Sequence, residues 1–190
     1  MTRADGRAPD EMRPISMELD FITSATGSVL FEIGSTRLIC TAMVEESVPP
    51  WMRGRGTGWV TSEYGMLPGS TGERKQRDAT RGKQDGRTVE IQRLVGSGSL
   101  PRTPLTDAVA AISVGIVDGE VLLDLPYAED SRAEVDMNVV MTGSGELIEV
   151  QATAEKSPFG RASLDRMLEL AAGGIGEIVR EQERVLTGPA

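Results

Sequence analysis

Five carboxylate side chains lie within thirteen residues of the sequence: Asp124, Glu129, Asp130, Glu134 and Asp136. Hard cations such as Mg²⁺ bind through one or two carboxylates and leave room for phosphate oxygens. A cation held in this way neutralises the charge that develops during phosphoryl transfer. Asp130 precedes a short loop and Asp136 opens an expected strand, so the cluster predicts a metal-assisted site. A solvated acidic turn between two hairpins is the alternative.

A basic segment flanked by glycines, GKQDGRTVEIQR at 82–93, could bind an anion. Arg87 stands just before the expected start of a helix, where free backbone N–H groups attract anions, and arginine binds phosphate through two parallel hydrogen bonds. Arg93 lies six residues later, about 1.7 helical turns away, so we expect the two side chains to contact different parts of a ligand. An ion pair of Arg87 with Asp85 or Glu90 is the alternative.

A second basic run precedes this segment. Arg74, Arg77 and Arg81 are spaced by three and four residues, which gives one basic face if the run is helical and a basic arm if it is a loop. The window 51–93 carries a charge of +4, whereas the rest of the chain carries −13. An acidic protein with one basic segment can bind a polyanion locally. A solvated loop of mixed charge is the alternative.

The elements that must position these residues are mainly β-hairpins. Residues 28–46 read as two strands around Gly34-Ser35, and residues 107–125 as a hairpin with an Asp118-Gly119 turn. A further hairpin turns at 143–145, and an amphipathic helix is expected over 163–186, with Ser163 as its N-cap. This order predicts an α+β fold in one domain over 1–190, with helices covering the hairpins on one side.

Composition restricts the chemistry. The chain has no histidine, which excludes His-activated nucleophiles and His metal ligands. Its single cysteine, Cys40, lies in a nearly all-apolar strand, so we expect it to be buried and both faces of that strand to be covered. A lone cysteine excludes a disulfide framework and favours the cytoplasm. No stretch approaches the roughly 20 apolar residues of a membrane span.

Six segments together resemble the ribonuclease PH family, phosphate-dependent 3′-to-5′ exoribonucleases that trim the 3′ ends of tRNA precursors. They are RADGRAPDEMRPI at 3–15, GSVLFEIGSTRLICTA at 27–42, GWVTSEYGMLPGST at 58–71, GKQDGRTVEIQRL at 82–94, AAISVGIVDG at 110–119 and EDSRAEVDMNVVMTGSGELIEVQATAE at 129–155. The resemblance implies an α+β fold of the kind found in ribosomal protein S5 domain 2, and a homohexameric ring built from dimers.

The resemblance also implies roles at matching positions. Arg87 would bind the attacking inorganic phosphate, which is the co-substrate. Asp130 and Asp136 would be the active-site acids and Mg²⁺ ligands, with Asp136 the stronger candidate for a general acid or metal ligand. Arg74 and Arg77 would grip the RNA, and Arg93 would join them. The partners implied are tRNA precursors and other RNA 3′ ends.

The chain departs from the family pattern at 96–99, where Gly-Ser-Gly-Ser resembles a linker. The family has further strands there, a Gly-Gly-Thr-Arg-Thr phosphate loop and another long helix. We expect this core segment to be missing, by engineering or by natural deletion. Phosphate would then lose charge-assisted hydrogen bonds worth about 1.5–3 kcal/mol each. Two functions follow: a phosphorolytic exoribonuclease, or a catalytically impaired RNA-binding or self-assembling scaffold.

Overall fold

The computed structural model describes residues 3–70, the backbone of 98–100, and residues 107–188. The chain divides into two compact units, of which the first holds residues 1–44 and 107–190 and the second residues 45–106. The elements are strands and helices of mixed order, which confirms the α+β prediction. No helix in the described ranges is both long enough and apolar enough to span a membrane.

The first unit begins with a three-stranded antiparallel sheet. Its strands are β1 (Ile15–Leu19), β2 (Gly27–Ile33) and β3 (Thr36–Ala42), in the order β1-β2-β3. The turn between β2 and β3 uses Gly34 at φ +57°, a conformation that costs glycine little. The hairpin predicted around Gly34-Ser35 is therefore confirmed.

Strand β3 is not covered as its apolar sequence predicts. All seven of its residues are exposed, Ile39 by 53% and Cys40 among them. The prediction of a buried Cys40 is therefore wrong. The reason is position: β3 is an edge strand, and within the described residues it pairs only with β2.

The second unit, where it is described, contains a 3-10 turn at Pro50–Met52 and two short strands, β4 (Gly58–Val60) and β5 (Gly98–Leu100), which pair antiparallel. Gly98 and Ser99 of the linker-like junction therefore lie in a strand. Gly96, Ser97 and the helix expected to start at Thr88 lie outside the described residues.

A four-stranded antiparallel sheet forms the centre of the first unit. Its strands are β6 (Val109–Val117), β7 (Glu120–Leu123), β8 (Val135–Thr142) and β9 (Leu147–Ala154), in the order β7-β6-β8-β9. Asp118 and Gly119 have φ of 51° and 80°, as a type I′ turn requires. Both predicted hairpins of this sheet are confirmed.

Helix α2 (Arg161–Thr187) packs on this sheet, and the short helix α1 (Tyr127–Asp130) precedes β8. Along β8 buried residues alternate with half-buried ones, and the buried set meets the apolar stripe of α2 in the core. The predicted long helix is confirmed, but Ser163 is not its N-cap. Gly160 caps it, because Ser163 already donates its N–H to the Gly160 carbonyl inside the first turn.

Candidate active site

The structure separates the acidic cluster into two fully buried carboxylates and three less buried ones, of which Glu134 is half-buried. Asp124 follows β7 and is 1% exposed, and Glu129 in α1 is 3% exposed. Asp130 ends α1 and is exposed, whereas Asp136 is the second residue of β8 and is half-buried. The solvated acidic turn is therefore wrong as a description of the whole cluster, since two of its members are core residues.

Asp124 is held by two arginines from the N-terminal segment. Arg13 donates from Nη2 to Oδ1 at 2.7 Å and from Nε to Oδ2 at 2.8 Å, and Arg7 donates from Nη1 to Oδ2 at 3.3 Å. Burial would raise the pKa of Asp124, but the hydrogen bonds and charge of Arg13, with the charge of Arg7, outweigh it and leave that pKa below its usual value. Asp124 is therefore a structural carboxylate and cannot act as a proton donor at neutral pH.

Glu129 is held by a third arginine. Arg3 donates from Nη2 to Oε2 at 2.7 Å and from Nε to Oε1 at 3.1 Å. The same guanidinium donates to the carbonyls of Leu123 at 2.8 Å and Asp124 at 2.9 Å. Arg3 therefore ties α1 to the end of β7, and its fork geometry suits this set of acceptors.

The contacts of Arg3 with Glu129 and with the Leu123 and Asp124 carbonyls form a clamp that also helps to position Asp130. Its N–H donates to the Pro126 carbonyl at 3.0 Å, and its own carbonyl accepts from Ala133 N at 3.0 Å. Its neighbour Glu129 is fixed by Arg3. The backbone of Asp130 is thus fixed on both sides while its carboxylate stays exposed to solvent.

We expect Arg3→Lys to loosen Asp130 without unfolding the chain. Lysine keeps the charge but cannot make the two parallel bonds to Glu129, so unfolding free energy should fall by about 1–3 kcal/mol. Urea unfolding would measure this, and hydrogen exchange of residues 127–133 should rise more than that of β8. Arg132→Lys, at an exposed ion pair with Asp118, is the matched control, and equal losses in both variants would contradict the clamp.

Asp136 stands in the middle of the sheet. It lies opposite Gly115 on β6 and Thr153 on β9, between the fully buried Val135 and Met137. Alternation along β8 places its side chain on the face opposite to those two core residues. A carboxylate on a central strand is held more rigidly than one on a loop, which suits a catalytic group.

Gly115 is required for this arrangement. A Cβ at position 115 would lie 2.3 Å from the Val135 carbonyl oxygen and 2.7 Å from Leu125 Cδ1. We expect Gly115→Ala to push β6 and β8 apart beside Asp136, at a cost of about 3 kcal/mol, the upper part of the overpacking range. Thermal unfolding would measure it. Gly119→Ala, a strained but open turn position, is the control, and an unchanged melting temperature for Gly115→Ala would contradict the packing.

The four predicted anion-binding arginines, Arg74, Arg77, Arg87 and Arg93, lie outside the described residues. Three arginines that sequence reasoning left out, Arg3, Arg7 and Arg13, prove to shape the site. Their sequence signal was weak: basic residues at 3, 7 and 13 in the segment RADGRAPDEMR, without a pattern that names their partners.

The carboxylates available for a metal are few. Within the described ranges no group of three or more Asp, Glu, Cys or His side chains could hold a metal ion. Of the five clustered carboxylates, Asp130, Glu134 and Asp136 lie outside the arginine pairs given above, and Glu134 accepts the Gly119 N–H at 3.2 Å. Either Asp130 or Asp136 could serve Mg²⁺, which uses one or two carboxylates and completes its octahedron with water and substrate phosphate oxygens.

A surface cleft of about 830 Å³ lies elsewhere in the first unit, between residues 5–15 and the C-terminal half of α2. Four arginines and four acidic residues line it, so its charges balance. Neither Asp130 nor Asp136 lines it, so this cleft is not the candidate active site.

Comparison with known proteins identifies the fold and the family. A chain of the Archaeoglobus fulgidus exosome with RNA bound to the active site superimposes with a TM-score of 0.73 at 14% identity, over 95% of this chain and 92% of that chain. Rice (Oryza sativa) Rrp46 gives a TM-score of 0.63 at 17% identity, over 95% of this chain and 99% of that chain. A family model described as RNase PH, 3′ exoribonuclease family, domain 1, matches residues 11–153, which include both candidate acids. The chain therefore belongs to the RNase PH family of 3′ exoribonucleases.

Proposed function

We propose that this chain is a phosphate-dependent 3′-to-5′ exoribonuclease that trims the 3′ ends of tRNA precursors in the cytoplasm and releases nucleoside diphosphates. The observation that carries the proposal is the family match across 11–153, which contains Asp136 on a rigid central strand and Asp130 on the clamped helix α1. Three members of the acidic cluster, Asp130, Glu134 and Asp136, lie outside the ion pairs with Arg3, Arg7 and Arg13. The family resemblance selects Asp130 and Asp136 from these three.

The reaction assigns a role to each group. A phosphate oxygen attacks the last phosphodiester, the bond to the preceding 3′ oxygen breaks, and that oxygen takes a proton. Asp136 would supply the proton or hold a metal ion, Asp130 would serve in the same role, and Arg87 would orient the attacking phosphate. Mg²⁺, when bound, supplies neutralisation of the developing negative charge.

RNA contacts and assembly are further parts of the proposal. Arg74, Arg77 and Arg93 would bind the RNA backbone, because arginines pair with phosphate through charge-assisted hydrogen bonds. The Archaeoglobus fulgidus exosome, one chain of which shares this fold, has RNA bound to its active site, which supports an RNA 3′ end as the substrate here. We further propose a homohexameric ring, as the family resemblance implies.

A second candidate is a scaffold that binds RNA or itself without catalysis. Two exposed edge strands favour it: β3 carries Leu38 and Ile39, and β9 carries Leu147, Ile148 and Val150, each at least 41% exposed. Removal of a core segment at 96–99 would leave such faces uncovered. Exposed apolar strand edges template association between chains.

One experiment separates the two candidates. A tRNA with a 3′ extension is digested with Mg²⁺ and either inorganic phosphate or sulfate at equal ionic strength, and nucleoside diphosphates are counted. Release that requires phosphate supports the exoribonuclease. Binding of the RNA without release in either buffer, together with large particles in light scattering, would overturn it in favour of the scaffold.

A further inference from the structure

The two tryptophans of the chain, Trp51 and Trp59, lie together on the surface of the second unit. Their ring centroids are 4.9 Å apart at an interplanar angle of 81°, an edge-to-face pair. Trp51 is 55% exposed and Trp59 is 40% exposed. Tryptophan is usually largely buried, so an exposed contact pair of indoles is an observation that core packing does not explain.

Both tryptophans lie in hydrogen-bonded backbone. Trp51 lies in the 3-10 turn Pro50–Met52. Met52 of this turn is 1% exposed, and its N–H donates to the Pro49 carbonyl at 2.8 Å. Trp59 lies in β4, where it pairs with Ser99 of β5. Because the two rings already contact each other, they lose less conformational entropy when a ligand stacks on them.

The chain segment that carries the pair is positively charged. Arg53 and Arg55 lie between the two tryptophans and are both exposed. No acidic residue occurs from 51 to 62, although the chain as a whole carries a charge of −9. Aromatic faces beside arginines are the combination that binds single-stranded nucleic acid, with bases stacked on the rings and phosphates paired with guanidinium groups.

We propose that Trp51 and Trp59 form a base-stacking platform for single-stranded RNA, with Arg53 and Arg55 contacting its phosphates. The choice of RNA over a protein partner rests on the proposed function, since the substrate of that reaction is a single-stranded 3′ end. Stacking accepts any base, so the platform would bind the substrate without selecting its sequence.

The position of both tryptophans in this pair makes the test direct, because all tryptophan emission of the chain reports on the platform. In phosphate-free buffer, a ribo-oligonucleotide is titrated into the wild-type protein while tryptophan emission is followed. Its affinity is measured in parallel by polarisation of a 5′-labelled RNA. We expect quenching of the emission with the same midpoint as the polarisation change.

Variants then measure how much each tryptophan contributes to the affinity for RNA. Trp51→Ala and Trp59→Ala should each bind the labelled RNA about 5- to 100-fold more weakly, whereas Trp51→Phe should retain most of the affinity because phenylalanine keeps an aromatic face. Leu186→Ala, which removes an exposed apolar side chain from α2, should bind as the wild type does. Circular dichroism checks that each variant is folded.

Three outcomes would overturn the platform: RNA binding seen by polarisation without quenching, no RNA binding by either probe, or an emission change that follows protein concentration alone, which would assign the pair to a protein contact. Failure of the proposed function is distinguishable, because it appears as quenching and binding of RNA without phosphate-dependent release of nucleoside diphosphates.

Discussion

Replacing Asp136 by asparagine is expected to lower phosphate-dependent release of nucleoside diphosphates by about 10²–10⁴-fold, the usual contribution of a general acid or base. Asparagine has nearly the same shape, so strand β8 and its register with Gly115 and Thr153 should persist. The amide, however, can neither transfer a proton nor offer a charged oxygen to Mg²⁺. Single-turnover rates at saturating RNA and phosphate measure the effect on chemistry alone.

The matched control for this variant is Asp118→Asn. It makes the same chemical change in the same sheet, in an exposed turn where Asp118 has φ 51° and pairs with Arg132 at 3.1 Å. Asparagine tolerates that conformation, so the rate should stay close to that of the wild type. A full rate for Asp136→Asn, or an equal loss in the control, would contradict the role of Asp136. A lower melting temperature for Asp136→Asn would instead indicate that the substitution destabilises the fold.

Local sequence signals predicted the fold well where neighbouring residues determine the structure. The Asp118-Gly119 turn follows from the backbone preferences of these two residues. The apolar stripe over 163–186 predicts a helix with one buried face, whichever strands that face packs against. Ser163 was misplaced because a helix can start on a glycine whose carbonyl accepts the first-turn N–H groups. An error of this size at a helix end is ordinary.

The sequence alone could not predict which residues far apart along the chain form ion pairs with each other. Arg3 and Glu129 are 126 positions apart, and Arg13 and Asp124 are 111 apart. A charge pattern cannot state which of five clustered carboxylates will meet these arginines. The same limit explains β3, since an apolar strand pattern shows what the strand can bury and not whether a covering element is present. The candidate acids were selected by family resemblance, and the ion-pair network explains physically why Asp124 and Glu129 do not join them.

The buried ion-pair network supports the second large prediction. Asp124→Asn should lower the free energy of unfolding at pH 7 by about 3–5 kcal/mol, the usual cost of removing one partner from a buried ion pair. The Arg13 side chain is only 16% exposed and would lose its buried counter-charge. Arg7, which is 7% exposed, would keep its ion pair with Asp5 at 2.7 Å. Because Arg13 is partly accessible to water, the lower end of that range is the expected value.

The pH dependence of this loss has a defined sign. The pKa of Asp124 in the folded protein lies below its usual value, and Arg13 causes most of this lowering against the opposing effect of burial. In the unfolded chain the pKa of an aspartate is about 3.9. The stabilisation is therefore fully present above about pH 4 and disappears as the pH falls through the folded pKa. Urea unfolding of the wild type and Asp124→Asn at pH 7, 5 and 3 should show an equal difference at the first two values and a smaller one at the third.

An exposed ion pair provides the control for the network. Asp165→Asn removes an i,i+4 pair with Arg161 whose side chains are 52% and 82% exposed, and surface pairs of this kind contribute little. Its stability should therefore be close to that of the wild type at all three pH values.

Because Asp124 also accepts the Arg13 N–H at 2.9 Å, loss of the Asp124 charge should release the chain around Arg13 before the sheet unfolds, which hydrogen exchange would detect. A difference between the wild type and Asp124→Asn that grew below pH 4 would show that the carboxylate destabilises the fold, opposite to the inferred sign.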